Sequence, residues 1–199
     1  MRDEATRLAE ALDGFVAVVD VLDDCDWPRP SRCAGWSVAD VVGHIIAVTD
    51  KFTSFARAET DTPRTAPAPR GDPAPLRRAL AESVAASADA WPSCDGSRRC
   101  RLPFGTFSAI QAASINMMDA LVHAWDIAAA NGIDYRMPSR AIGPAIVIAR
   151  RLVTPEAVAG GQYASGHLLP EPAADAEAVL LRLTGRDPAT GPRLSLIHI

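Results

Sequence analysis

Two of the four histidines, His44 and His123, fall on segments that read as long helices. Asp119 stands four residues before His123, so both side chains leave one helical face with their Cβ atoms roughly 6 Å apart. A carboxylate and an imidazole so placed can chelate one divalent cation from a rigid element. His44, on a neighbouring helix, would bring the set to two imidazoles and one carboxylate. Three protein ligands of these types suit tetrahedral zinc and leave a fourth position open for water or substrate, the mark of a catalytic rather than a structural site. The same donors suit ferrous iron (Fe2+) and nickel (Ni2+), so ligand type alone leaves the metal open. A plainer reading stands beside it: His123 hydrogen-bonded to Asp119 in the interior, with His44 bordering a buried face and no metal involved.

The helix carrying these residues has Ile110, Met117, Leu121 and Trp125 on one side and Ile115, Met118 and Val122 on others. A helix apolar most of the way round is a buried one. Asp126 then continues the stripe of Asp119 and His123 inside the protein. Burying two carboxylates without partners costs on the order of several kcal/mol each, and a nearby cation is the simplest compensation. Asp126 could orient an imidazole from behind, in the second shell of a metal; a helix-end or arginine-pairing role serves as well. Cys33 lies in the loop leading into the second helix, near the positive end of that helix dipole, where a thiol gains reactivity. The blander expectation is a small, partly buried apolar residue. Trp36, just before Ser37, is expected to act as a hydrophobic staple. No GxSxG elbow and no glycine-rich phosphate loop is present.

The elements that must position these residues can be read from periodicity. Residues 4 to 23 form a helix, with Leu8, Leu12, Phe15, Val19 and Leu22 as its apolar stripe. Pro28, Pro30 and Gly35 make the next segment a loop. Ser37 and Asp40 form a capping-box pair that starts a helix over 38 to 57. Thr60 to Pro75 holds five prolines; at about 3.3 Å per residue it can run the length of a helix and start the next one parallel to the last. Further helices are expected over 75 to 91, 106 to 130, 138 to 153 and 174 to 184, with a short extended piece at 99 to 102. Asn131-Gly132 stops the fourth helix.

Composition narrows the class. The chain has 199 residues and a net charge of −4; 48 % of residues are hydrophobic and 22 % charged, with alanine dominating. That is a globular, helix-rich, all-α composition. Residues 1 to 188 are expected to form a single helical domain, and 189 to 199 a tail without a role in the fold; His198 in that tail is set aside. No apolar run approaches the roughly 20 residues a bilayer span needs, and the mixed-charge start is not a signal peptide. Scattered arginines in an acidic chain argue against nucleic acid. Cys25, Cys33, Cys94 and Cys100 form no CxxC pair, so a cytoplasmic protein with reduced thiols is expected.

Two segments together resemble a known family. Cys33-Ala34-Gly35-Trp36-Ser37-Val38-Ala39-Asp40-Val41-Val42-Gly43-His44 resembles the start of the second helix in the DinB-like superfamily, in its mycothiol-dependent maleylpyruvate isomerase N-terminal branch. Met118 to Ala128, with its carboxylate-x-x-x-His and Trp-Asp-Ile-Ala, resembles the second signature of that branch. Leu183-Thr184-Gly185-Arg186-Asp187-Pro188 is similar to the usual ending of a short metal-binding subfamily there. The resemblance implies an up-down-down-up four-helix bundle with a short C-terminal helical extension, holding a divalent metal, zinc foremost, on His44, Asp119 and His123. It implies a low-molecular-weight thiol, mycothiol, as co-substrate of a transferase or isomerase acting on an unknown small substrate, and it is compatible with a homodimer. The alternatives are a non-enzymatic metal-binding module and a hydrolase using metal-activated water. Two departures from the isomerase are visible. Asp119 replaces a glutamate, and too few residues follow the fourth helix for the isomerase's C-terminal α/β domain in full.

Overall fold

A computed structural model of the protein describes residues 1–33, 35–59, 71–159 and 175–189. Most of the proline-rich connection, the glycine-containing loop with His167, and the tail with His198 lie outside the described residues.

Helix α1 spans Arg2–Asp20 and buries Leu8, Leu12, Phe15 and Val19, the stripe its spacing predicts. α2 spans Val38–Ala56. It begins at Ser37 because the Ser37 hydroxyl accepts from the Asp40 amide (3.2 Å) while the Asp40 carboxylate accepts from the Ser37 amide (2.9 Å). Two N–H groups that the helix itself cannot satisfy are thereby paired. α3, Pro73–Ala90, starts with proline in its first turn, where the missing N–H costs nothing. Strand β1 (Arg99–Leu102) pairs antiparallel with β2 (Gly105–Ser108), Arg99 opposite Ser108 and Leu102 opposite Gly105.

That hairpin corrects one boundary. The fourth helix was expected from Thr106, but residues 105–108 are taken up in strand pairing, and α4 runs Ala109–Asn131 with Ser108 as its cap. Gly132 closes it in the left-handed conformation, φ 68°, which glycine adopts without a Cβ clash. α5 (Ser139–Leu152), a short α6 (Pro155–Ala159) with no counterpart in the sequence expectations, and α7 (Ala176–Leu183) follow.

α1 and α2 each pack against both α3 and α4, and α5 lies against α4 and α7. Contacts along the helices fix their directions. Glu4 meets Ser114 near the starts of α1 and α4, and Gly14 lies against the Tyr135 ring beyond the end of α4, so these two helices run the same way. Arg77, at the start of α3, donates to the Val19 and Leu22 carbonyls at the end of α1. Arg98, ahead of α4, donates to the Phe55 and Ala56 carbonyls at the end of α2. α2 and α3 therefore both run opposite to α1 and α4. One contiguous core joins the helices, with Phe15, Ile45, Phe52, Leu80, Ile115 and Leu121 fully buried. No helix among the described residues is long and apolar enough to cross a membrane.

Candidate metal centre

α4 is buried nearly all round, as its composition demands, and Asp119, His123 and Asp126 lie on it at 0 %, 2 % and 0 % exposure. His44, two turns into α2, faces it. The sequence brought three residues into one candidate set, and the structure places them together: His44 Nε2 lies 3.0 Å from Asp119 Oδ2, and His123 Nε2 lies 3.3 Å from Asp119 Oδ1. One ligand atom from each of the three falls within 4.8 Å of the other two. The imidazoles meet edge to face with ring centroids 5.1 Å apart.

These donors fit a small divalent cation. Asp119 Oδ1 and His123 Nε2 are buried and make no hydrogen bond. Their 3.3 Å separation is close to the roughly 3.4 Å that separates two ligands of one tetrahedral ion at about 2.0–2.1 Å each. With neither a cation nor a proton between them, a buried carboxylate oxygen and ring nitrogen side by side are costly. Without a cation, burial works against the Asp119 charge, but His44 and His123 outweigh it and hold the carboxyl well below the usual range. Burial likewise favours neutral His123, yet the neighbouring Cys33, Asp119 and Asp126 raise its pKa well above the ordinary value. In the metal-free protein a proton on His123 therefore takes part of the cation's place.

A second layer stands behind His123. Its Nδ1 donates to Asp126 Oδ2 at 3.0 Å. Asp126 is gripped by Arg186, Nε on Oδ1 at 3.2 Å and Nη2 on Oδ2 at 2.7 Å. Burial opposes the Asp126 charge, but Arg186 and His123 overcome that and keep the carboxyl well below its ordinary pKa. Asp126 thus contacts both an imidazole and an arginine. Cys33 is buried here as well, its Sγ 3.0 Å from Asp126 Oδ2 and 3.4 Å from His123 Nδ1. It is part of the polar cluster rather than the apolar filler expected of it.

The loop that delivers Cys33 is tied locally. The Ser31 hydroxyl accepts from the Cys33 amide (3.0 Å) and donates to the Trp36 carbonyl (2.9 Å), and Gly35 takes φ 76°. Trp36 was expected to staple the helix start. Its ring instead lies against the two imidazoles, 5.0 Å from His44 and stacked 6.2 Å from His123. A cavity of about 440 Å³ opens beside it, lined by Pro28, Pro30, Cys33 and Trp36 among others. Arg186 is a site residue that the sequence expectations do not include. It lies 60 positions from its partner Asp126, and the only signal for it was its place in the Leu-Thr-Gly-Arg ending.

The family model described as the mycothiol maleylpyruvate isomerase N-terminal domain matches residues 8–128, a span that includes His44, Asp119 and His123 but not Arg186. Two uncharacterized proteins from two strains of Mycobacterium tuberculosis are each 26 % identical over 146 residues, covering 73 % of this chain and 77 % of theirs. A crystal structure of the mycothiol-dependent maleylpyruvate isomerase superposes with a TM-score of 0.66 at 15 % identity, over 96 % of this chain and 94 % of that one. A histidine-to-alanine mutant of that isomerase superposes with a TM-score of 0.61 at 17 % identity, over 79 % of this chain and 71 % of that one. At these identities the solved structures establish the fold, a DinB-like helical bundle.

Proposed function

This chain belongs to the mycothiol maleylpyruvate isomerase N-terminal domain family, and from that premise we propose that it is a divalent-metal-dependent enzyme using a low-molecular-weight thiol, mycothiol, in a transfer or isomerisation reaction. The observation that carries the reading is the convergence of His44, Asp119 and His123, with Asp119 Oδ1 and His123 Nε2 buried and unsatisfied at the centre. Two imidazoles and one carboxylate favour zinc among the common ions and leave a coordination position free. A divalent cation held there would supply a nucleophile at neutral pH by lowering the pKa of a thiol placed in that free position.

The chain's own residues do the remaining work. Asp119 bridges the two imidazoles and carries the negative charge of the ligand set. Asp126 accepts a hydrogen bond from His123 Nδ1, which would leave Nε2 as the ring atom available to a metal. Trp36 covers both rings and keeps bulk water from that side, so electrostatic interactions inside are weakly screened. The cavity lined by Trp36 and Cys33 offers room for a small substrate against two residues that touch His123.

Titration of the zinc-loaded and metal-stripped protein with mycothiol tests the reading. Saturable binding that requires the metal is expected. Binding that is identical with and without metal, or no binding in either form, refutes it. Metal uptake without any thiol binding points to a non-enzymatic module, and ester or amide turnover without added thiol points to a hydrolase.

A further inference from the structure

The turn after α7 is a helix stop of a specific kind. Gly185 takes φ 83°, its N–H donates to the Arg182 carbonyl at 3.0 Å, and the Arg186 N–H reaches back to the Leu181 carbonyl at 2.7 Å. These two bonds and the left-handed glycine make a Schellman motif. Its result is to turn the residue after the glycine back across the helix end. That residue is Arg186, and its side chain enters the protein at 4 % exposure. The guanidinium then holds Asp126 with two bonds and donates Nη1 to the Thr184 carbonyl at 2.7 Å. An arginine fork on a carboxylate fixes the plane of that carboxylate as well as its charge.

We propose that Arg186 is a positioning residue for the metal centre: through the Arg186–Asp126–His123 chain it sets the ring orientation and tautomer of His123, so that the centre is completed by a segment outside the 8–128 family match. This rests on the metal reading above. The chain of contacts is continuous. Arg186 bonds both Asp126 oxygens, Asp126 Oδ2 accepts the Nδ1 proton of His123, and His123 Nε2 is left facing Asp119 Oδ1 without a hydrogen bond. A ligating histidine whose far nitrogen is bound to a carboxylate has one tautomer and one ring orientation, and loss of such support weakens metal binding. Asp126 is also shared by the Cys33 thiol, 3.0 Å away. Without the guanidinium the carboxylate is free to rotate towards that second donor and away from His123.

The test compares wild type with Arg186→Gln, Arg186→Lys and the double variant Asp126→Asn/Arg186→Gln. The double variant removes both charges together and so avoids leaving one buried charge unpaired if the single variant does not fold. Zinc affinity is read by competition with a chromophoric chelator, and ligand geometry by the visible absorption of the cobalt(II)-substituted protein. Arg186→Gln and the double variant are expected to bind zinc roughly 10- to 100-fold more weakly and to shift the cobalt bands. Arg186→Lys, which restores the charge but not the fork, is expected to fall between them and wild type. A merely structural role lowers the melting temperature while leaving affinity and the cobalt spectrum of the folded protein unchanged; that result overturns the inference alone. Wild-type protein that binds neither zinc nor cobalt overturns the metal reading, and this inference with it.

Discussion

Replacing Asp119 by asparagine separates the charge of this side chain from its shape. Asp119 is fully buried, and its two oxygens face His44 Nε2 at 3.0 Å and His123 Nε2 at 3.3 Å. In the metal-free protein its charge is balanced by the proton that it, Cys33 and Asp126 help to hold on His123. Removing one partner of a buried charge pair costs about 3–5 kcal/mol. For a chain of this size each kcal/mol moves the melting temperature by about 2–4 °C, so a fall of roughly 6–20 °C is expected. The sign with pH is fixed by the two shifts. The Asp119 pKa is lowered, so its contribution is present above about pH 3.9 and is lost as pH falls through the folded-state value. The His123 pKa is raised, so its contribution is complete below about pH 6.5 and is lost as pH rises through the folded-state value. The gap between wild type and Asp119→Asn is therefore widest between about pH 4 and 6.5 and narrows in alkali. Differential scanning calorimetry of metal-stripped protein across that range is the assay. Zinc in thousandfold excess over its Kd adds about 4 kcal/mol to wild type and little to the variant. Equal melting temperatures at pH 5.5 without metal, or an undiminished zinc shift in Asp119→Asn, would refute the reasoning.

Three further outcomes follow from the same structure. Ser37→Ala removes the cap that starts α2 and is expected to cost about 1 kcal/mol, read from the urea midpoint. Leu121→Ala, at a fully buried core position on α4, is expected to cost about 2–5 kcal/mol, several times the cap loss in the same assay. Asp126, held well below its ordinary pKa by Arg186 and His123, contributes stability above about pH 3.9 that is lost as pH falls through its folded-state value. Urea midpoints below pH 4 should accordingly fall less steeply in the Asp126→Asn/Arg186→Gln double variant than in wild type.

What the sequence disclosed depended on how local each signal was. The Ser37–Asp40 box and the Asn131–Gly132 stop are complete within a few residues, and both elements begin and end there. Asp119 and His123 were legible because a single helical turn joins them. His44 joined the set by its place at the edge of a buried face. The start of α4 was misplaced because residues 105–108 pair, as β2, with a strand that precedes them, and Thr106 and Phe107 suit a strand. Cys33, Asp126 and Arg186 meet across three separate segments, and no spacing rule connects them. Trp36 was assigned to the helix start by proximity in sequence, whereas its ring found the two imidazoles. The residues proposed to bind a metal, and Asp126 behind them, were thus readable, whereas Arg186, proposed to steady them, needed coordinates.

The central claim is that His44, Asp119 and His123 hold one divalent ion. Elemental analysis of protein purified without chelators tests it most directly, with wild type measured beside His44→Ala, Asp119→Ala and His123→Ala. The account predicts about one equivalent of divalent metal per wild-type chain and its loss in each folded variant. Metal-free wild type that takes up no zinc on dialysis, or variants that keep a full equivalent, would contradict it.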